Sequence, residues 1–321
     1  MTSVSDFHGC AYDQPARPNR ERWLAEVATA FSILKPTPAP CELIHVGSSE
    51  DGGYLLPADL QGIAGCFSPG VNNRKDFEDE LCRTFAIPCH MCDFSSDPDQ
   101  FKTPLIPGLQ TFEQVWLDLE GRPDSVSLAG WVENHAGGVT DDLLLQIDIE
   151  GAEYRNILAT PSDVLARFRV IVLELHDLRS AFHDEGIMRN VLLPFLRKLD
   201  ESFLSIHVHP NNYTDEFLLP ELGANMADVI EVTFLRRDRF PEHDGNGRFP
   251  VMLPHPLDIP ANTWRRPPVF LNAQWFDGQR ARKSKIRMVK DEVRFLRRQT
   301  AVLIDAAKAS ITRIRRSGRR L

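Results

Sequence analysis

Three features are missing from the sequence: a long apolar run, a dense set of cysteines and a glycine-rich dinucleotide fingerprint. No apolar run approaches the roughly 20 residues of a membrane-spanning helix, and the opening stretch MTSVSDFHGCAYDQPARP is too polar for a secretory signal. The six cysteines form no disulfide framework of the secreted type. Cys89 and Cys92 would point to opposite faces of a strand, which predicts buried thiols rather than a zinc or redox pair. These absences favour a cytoplasmic protein.

Charge is distributed unevenly along the chain. The formal net charge is -8, yet residues 279–321 contain 15 Lys and Arg against three acidic residues. The rest of the chain is therefore strongly acidic. An acidic body argues against nucleic acid as the main partner, and the basic end requires its own explanation.

Composition divides the chain into four segments. Residues 1–40 are a polar, Pro-rich lead-in with one short helix, RERWLAEVATAFSIL. Residues 41–240 alternate strand and helix patterns, 241–278 are rich in proline, and 279–321 are basic and amphipathic. The second segment is long enough to bury a full core, so we expect one large domain there.

The long second segment has the pattern of a parallel α/β sheet. Continuous apolar runs such as LLLQIDIE and RVIVLELHDL are typical of strands buried on both faces. Helical patterns, among them RKDFEDELCRTF, lie between these runs, and parallel strands need such crossovers. HVGSSEDGGYLLP is interpreted as a loop with a tight Asp51-Gly52-Gly53 turn, and a further strand is expected near FEQVWLDL. The sequence predicts a Rossmann-like sheet with helices on both faces.

Four of the predicted strands end in acidic or imidazole side chains. These are Asp93, then Asp148 with Glu150, then Glu174 with His176, then His207 with His209. In open α/β sheets ligands bind in the crevice at the carboxyl ends of the strands. We therefore expect these side chains to meet in one site.

The first strand–turn–helix unit, CFSPGVNNRKDFEDEL, has a single glycine, Gly70, at its turn. The missing G-x-G-x-x-G pattern argues against a nicotinamide dinucleotide enzyme. Asp93 follows the next strand, where a carboxylate can accept both hydroxyls of an adenosine ribose. A helix cap or a surface position is the structural alternative for Asp93.

Six segments, in this order, resemble the FkbM-type S-adenosylmethionine-dependent methyltransferases: HVGSSEDGGYLLP, CFSPGVNNRKDFEDEL, HMCDFS, LLLQIDIEGAEYRNIL, IVLELHDL and IHVHPNNY. The likeness covers roughly residues 43–236, and IDIEGAE is its most specific part. The family implies a seven-stranded class I methyltransferase fold. It also implies methyl transfer from S-adenosylmethionine, usually to a hydroxyl of a sugar or another small metabolite.

Carried over by position, the resemblance implies roles for individual residues. Gly70 would border the cofactor, Asp93 would hold its ribose, and the D-G-G-Y segment places Asp51 on the cofactor side. Many class I methyltransferases have an acidic residue and a second glycine where this chain has SPGVN. Asn72 is therefore the candidate for the methionine end of the cofactor.

Asp148, Glu150 and His176 are the predicted catalytic residues. A sulfonium methyl group is already activated, so alignment of donor and acceptor matters most, and a base or a cation helps an alcohol acceptor to lose its proton. In one hypothesis His176 and Asp148 supply the base. In the other, Asp148, His176 and His207 hold Mg²⁺, Mn²⁺ or Zn²⁺. Glu153, one turn further, either faces the reaction or simply suits a helix amino end.

The basic end predicts an amphipathic helix, with apolar residues at heptad-like positions from Ile286 onwards. Three interpretations stay open: packing on its own domain or on a second subunit as a short coiled coil, binding to an anionic membrane surface, and a tail that folds on a partner. A non-catalytic scaffold with a methyltransferase fold, acting through this helix, is the alternative to the enzyme. A different enzyme on a similar sheet is a third hypothesis.

Overall fold

The computed structural model describes residues 4–13, 19–241, 249–259, 261–276, 289–290 and 293–297. The helices are α1 (Arg20–Leu34), α2 (Asp76–Phe85), α3 (Leu128–Ala136), α4 (Glu153–Ala159), α5 (Ser162–Leu165), α6 (Leu178–His183), α7 (Glu185–Ile187) and α8 (Leu193–Asp200). The strands are β1 (Val4–Phe7), β2 (Cys10–Asp13), β3 (Leu43–Gly47), β4 (Gly53–Pro57), β5 (Ile63–Pro69), β6 (Cys89–Cys92), β7 (Gln110–Glu113), β8 (Trp116–Leu117), β9 (Ser125–Val126), β10 (Asp142–Ile147), β11 (Phe168–Leu175), β12 (Phe203–Pro210), β13 (Glu216–Leu219), β14 (Ala224–Ala227) and β15 (Ile230–Arg236). A π-helical turn, Met188–Leu192, joins α7 to α8.

The central sheet has seven strands, in the order β12-β15-β11-β10-β5-β6-β7. Its neighbours pair in parallel from β7 through β11, whereas β15 is antiparallel to both β11 and β12. Without β15, the strands follow the order of a doubly wound sheet, and the order reverses between β5 and β10. The predicted mixed α/β architecture with a mostly parallel sheet is confirmed, and the sheet is compatible with a Rossmann-like fold.

Both faces of this sheet are covered. Helices α1, α3, α4 and α8 contribute to the core on one face, where Trp131 and Phe195 are fully buried. Helix α2 and the β3–β4 strands contribute to the core on the other face through Phe77 and Leu81. Cys89 belongs to the second core and Cys92 to the first, so the two thiols are buried on opposite faces, as predicted.

The predicted loop HVGSSEDGGYLLP is instead a β-hairpin, in which β3 pairs antiparallel with β4. The Asp51-Gly52-Gly53 turn closes the hairpin, with Gly52 at φ +82. A D-G-G turn between apolar residues is a hairpin signal, and the loop interpretation gave it too little weight. The strand expected near FEQVWLDL is β7, which begins two residues before that stretch, followed by the short β8.

The segments flanking the predicted domain pack onto it. The lead-in contains the unpredicted hairpin β1–β2 before the predicted helix α1. In the Pro-rich segment, the Trp275 ring lies 4.6 Å from Phe31, and Phe249 pairs with Ala39. The Pro-rich segment is therefore part of the same fold.

Of the basic segment, residues 289–290 and 293–297 are described, and they are helical as predicted. Phe295 is buried and stacks on Trp264 at 6.1 Å, whereas Val289 and Val293 are exposed. Leu296, a further heptad-like position, is also exposed, and the other positions lie outside the described residues. A contact with a second subunit or with an anionic membrane surface stays a prediction. Among the described helices, none combines the length and apolar character needed to cross a membrane.

Gly70 is expected to be essential for the fold. It has φ +88, and a Cβ there would lie 1.6 Å from the Asp148 carbonyl oxygen, so Gly70→Ala should destabilise the protein by about 3–5 kcal/mol. Gly52→Ala is the matched control, because Gly52 has a similar φ of +82 and open space around it. Its expected cost is about 1–2 kcal/mol. Urea unfolding measures the free energy of unfolding of both variants. Equal losses in the two variants would contradict the close contact between Gly70 and the Asp148 carbonyl.

Candidate active site

A cavity of about 1100 Å³ opens at the carboxyl ends of β5, β6, β10 and β11. It lies where the strand order reverses, the usual ligand position in such sheets. It is lined by seven of the predicted catalytic, cofactor and metal residues, Asp51, Gly70, Asn72, Asp93, Asp148, Glu150 and His176, and by the strand-end residue Glu174. His207 and His209 are the exceptions.

The turn after β5 is held by its neighbours on both sides. Gly70 donates its backbone N–H to the Cys92 carbonyl at 3.0 Å, and its Cα faces the Asp148 carbonyl. The backbone N–H of Asn72 donates to Asp93 Oδ2 at 2.9 Å. The glycine expected to make room for a ligand thus makes room for the backbone of Asp148, which positions the strand end of β10.

The Asp93 carboxylate is saturated by hydrogen bonds from the protein. Besides Asn72, it accepts from the Ser95 N–H at 2.8 Å, the Ser95 hydroxyl at 2.7 Å and the Ser96 hydroxyl at 2.7 Å. Burial alone would raise the pKa of Asp93, but these hydrogen bonds outweigh it and lower the pKa. A carboxylate has about four acceptor positions, so all of them are in use.

Asp148, Glu174 and His176 form a compact group at the ends of β10 and β11. One ligand-type atom from each lies within 4.8 Å of the others, and it is the only such group within the described residues. His176 Nε2 lies 4.0 Å from Asp148 Oδ1 and 3.5 Å from Glu150 Oε2. Burial, followed by the charge of Glu174, raises the pKa of Asp148 well above its ordinary value, and burial also raises the pKa of Glu174.

Glu153 is the partner of His176. Its side chain is fully buried at the start of α4, its Oε1 accepts from the Ile149 N–H at 2.6 Å, and that oxygen lies 3.6 Å from His176 Nδ1. Burial would lower the pKa of His176, but Glu153, Glu174 and Glu150 outweigh it and raise the pKa to about 9. Glu153 thus places a carboxylate oxygen next to Nδ1 of His176.

Left-handed backbone surrounds this group. Glu150, Gly151 and Asp177 have φ values of +55, +95 and +53. Such values in non-glycine residues are uncommon and concentrate at functional sites. His8, at the turn of the unpredicted β1–β2 hairpin, packs its ring where a Cβ of Gly151 would lie and pairs with Asp177 at 2.6 Å. The hairpin thus supports the site from behind, as does Tyr154, whose hydroxyl donates to the His176 carbonyl at 2.6 Å.

His207 does not join the group, which corrects the predicted metal ligands. It lies on β12, beyond β15, and its Nε2 is 2.9 Å from Asp258 Oδ1. His209 Nδ1 is 3.9 Å from the same oxygen. Both histidines line a separate small cavity, closed by Asp258 from the Pro-rich segment. Glu174 takes the place that the prediction assigned to His207.

The opposite wall of the main cavity contains residues that the sequence did not indicate. Asp118 pairs with Arg155 at 2.7 Å and with Arg122 at 3.0 Å, and Trp116 and Tyr213 are exposed at the wall. Two guanidinium groups on one carboxylate leave a positive charge facing the acidic strand ends. Nothing in the sequence indicated this wall, since its residues come from three separate segments.

A buried hydrogen-bond chain underlies the β5 turn. Ser68 Oγ lies within hydrogen-bond distance of Glu78 Oε1 and of Gln146 Oε1, and Gln146 donates to the Tyr54 hydroxyl at 3.1 Å. One hydroxyl donates a single hydrogen bond. A protonated Glu78 therefore donates to Ser68, which donates to Gln146. Burial raises the pKa of Glu78 to about 7, consistent with this arrangement.

This chain predicts a pH dependence of stability. The pKa of Glu78 rises on folding from about 4.5 to about 7, so its contribution is complete below the lower value and is lost as pH rises through the upper one. Glu78→Gln keeps a donor for Ser68 and cannot ionise. The difference in unfolding free energy between this variant and the original protein should shift in favour of the variant by about 3 kcal/mol as the pH rises from ~5 to ~8. Denaturant unfolding at several pH values measures this, with exposed Glu133→Gln as control, and parallel pH profiles would contradict it.

No family model matches this chain, and no curated protein sequence matches it. The resemblance to FkbM-type methyltransferases therefore rests on the quoted segments alone. The function inferred below depends on those segments and on the geometry of the cavity.

Proposed function

We propose that this protein is an S-adenosylmethionine-dependent O-methyltransferase acting on a hydroxyl of a sugar or another small acceptor. One observation carries the proposal: a single cavity gathers seven residues that the resemblance and the strand-end pattern mark for cofactor binding and reaction. The seven-stranded sheet supports a class I methyltransferase fold, which has the same number of strands.

The cavity has the size and the donor set for the cofactor. Ligand pockets for one small molecule are about 300–1,000 Å³, so about 1100 Å³ holds a cofactor with an acceptor beside it. Asp93 and the β5 turn would hold the adenosyl side, with Asp51 and Asn72 at the amino-acid end. Ser95 is exposed, so its hydroxyl can turn away and free one Asp93 oxygen for a ribose hydroxyl.

Asp148, Glu150 and His176 lie on the acceptor side of the cavity. When bound, S-adenosylmethionine supplies a methyl group whose bond to sulfur breaks as the bond to the acceptor oxygen forms. The protein must align the acceptor hydroxyl and receive its proton. The carboxylate of Glu150 provides the proton acceptor, and Asp148 and His176 lie beside it at the acceptor position. Tyr213 and Trp116 offer apolar ring faces on which a sugar ring can pack.

The scaffold alternative is favoured by one observation. The four hydrogen bonds to Asp93 come from the protein itself, so this carboxylate also serves a structural purpose without any ligand. In that case the cavity would bind no adenosyl group, and the basic helix would carry the function. Ligand binding separates the two proposals.

Titration of the protein with S-adenosylhomocysteine tests the assignment. We expect clear binding, and Asp93→Asn should weaken it by about 1–3 kcal/mol, or roughly 5- to 150-fold, because a ribose hydroxyl loses its charged acceptor. Isothermal calorimetry measures the affinity of each variant.

Asp97→Asn is the matched control. Asp97 lies on the same loop and accepts hydrogen bonds from Asp99 and Gln100, outside the cavity wall. Its affinity for S-adenosylhomocysteine should equal that of the original protein. Absence of measurable binding to the original protein would reject the methyltransferase assignment and favour the scaffold.

A further inference from the structure

We infer that Asp148, Glu174 and His176 bind a divalent cation, which activates the acceptor hydroxyl. The binding site itself follows from the arrangement of these side chains. Only the role in activating the acceptor rests on the proposed function. The site differs from the set predicted from the sequence, because Glu174 replaces His207.

The separation of the three side chains suits one ion. Their ligand-type atoms lie within 4.8 Å of one another. Ligands at about 2.1 Å in an octahedron are roughly 3–4 Å apart, so small rotations of the side chains complete the site. Three protein ligands leave about three positions for water or for an acceptor oxygen.

Glu153 provides an independent sign of a ligand. It is fully buried, its Oε2 has no hydrogen-bond partner among the described residues, and its Oε1 faces His176 Nδ1 at 3.6 Å. Metal-binding histidines usually donate their other ring N–H to a carboxylate, which fixes the tautomer. A bound cation would take the place of the Nε2 proton of His176, so that the remaining proton on Nδ1 faces Glu153 and the Nε2 lone pair faces the ion.

The charge of the group also favours a cation, in place of a proton shared between the two carboxyl groups. Asp148 and Glu174 lie side by side at neighbouring strand ends, and among the described residues no Lys or Arg pairs with either. Asn211 donates a hydrogen bond to Glu174, but an amide carries no net charge. Two carboxylates held together in a poorly solvated site repel each other strongly. A divalent ion removes this repulsion.

The donor set indicates the type of ion and its use. Two carboxylate oxygens with one imidazole nitrogen suit Mn²⁺, whereas Mg²⁺ prefers oxygen ligands alone. An acceptor hydroxyl bound at an open position loses its proton more readily. Glu150, exposed and 3.5 Å from His176 Nε2, is then the carboxylate left to receive that proton.

Titration of the chelator-treated full-length protein with Mn²⁺ tests the site, with free Mn²⁺ measured by electron paramagnetic resonance. We expect one ion per chain. Glu174→Gln and His176→Gln should weaken binding by at least about 10-fold, and Glu153→Gln by about 10-fold through loss of the orienting carboxylate. Asp97→Asn, which lies outside the cavity wall, should leave the affinity unchanged.

Parallel titration with S-adenosylhomocysteine separates this inference from the proposed function. Absence of Mn²⁺ binding, or binding that persists in both Glu174→Gln and His176→Gln, overturns the cation site even where S-adenosylhomocysteine binds. Mn²⁺ binding that both substitutions abolish supports the site, and if S-adenosylhomocysteine then fails to bind, the methyltransferase assignment alone is rejected. Circular dichroism of each variant shows whether lost binding reflects lost folding, and Glu174→Asp, which keeps the charge, should recover part of the affinity.

Discussion

Asp148 and Glu174 stand at the ends of neighbouring parallel strands, so two carboxylates that repel each other share one poorly solvated edge of the sheet. Parallel strands impose this, because all their carboxyl ends meet on the same side. The surrounding groups reduce the repulsion only in part: Asn211 donates to Glu174, and His176 brings an imidazole balanced by Glu153. The site therefore retains excess negative charge, which favours a proton or a cation.

The backbone around these carboxylates is fixed by close contacts rather than by side-chain bulk. Gly70 lets β5 approach the carbonyl of Asp148, and Gly151 leaves room for the ring of His8. Both glycines have positive φ. Glu150, which directly precedes Gly151, also has positive φ although it is not a glycine. The strain at Glu150 is held by the packed elements on either side, and its side chain is thereby directed into the cavity. The close backbone contacts and the acidic side chains thus lie in the same short segment, which contains Asp148, Glu150 and Gly151.

The sheet was predictable because strands buried on both faces leave continuous apolar runs, and the helices between them repeat with a helical period. The residues at the strand ends were predictable for the same reason, since Asp93, Asp148 and His176 each follow a clear strand. The hairpin around Asp51 was missed because the D-G-G turn was interpreted as part of a loop, although such a turn between apolar residues is a hairpin signal. The wall formed by Asp118 and Arg155 could not be predicted, because its residues come from separate segments that only the folded chain brings together.

His207 and His176 show why a strand-end histidine does not by itself identify a site. Both come from strands of one sheet, and both were expected in the same crevice. His207 meets Asp258 at 2.9 Å, and this buried carboxylate gives it a close counter-charge. His176 faces Glu153 at 3.6 Å on one side and two further carboxylates on the other, so its environment still favours an additional ligand. The two histidines differ because His207 has Asp258 as a partner, 51 residues further along the sequence. Asp258 belongs to the segment whose composition indicated only that it is rich in proline. A histidine whose surroundings leave charge uncompensated is therefore a better indicator of function than its position at a strand end.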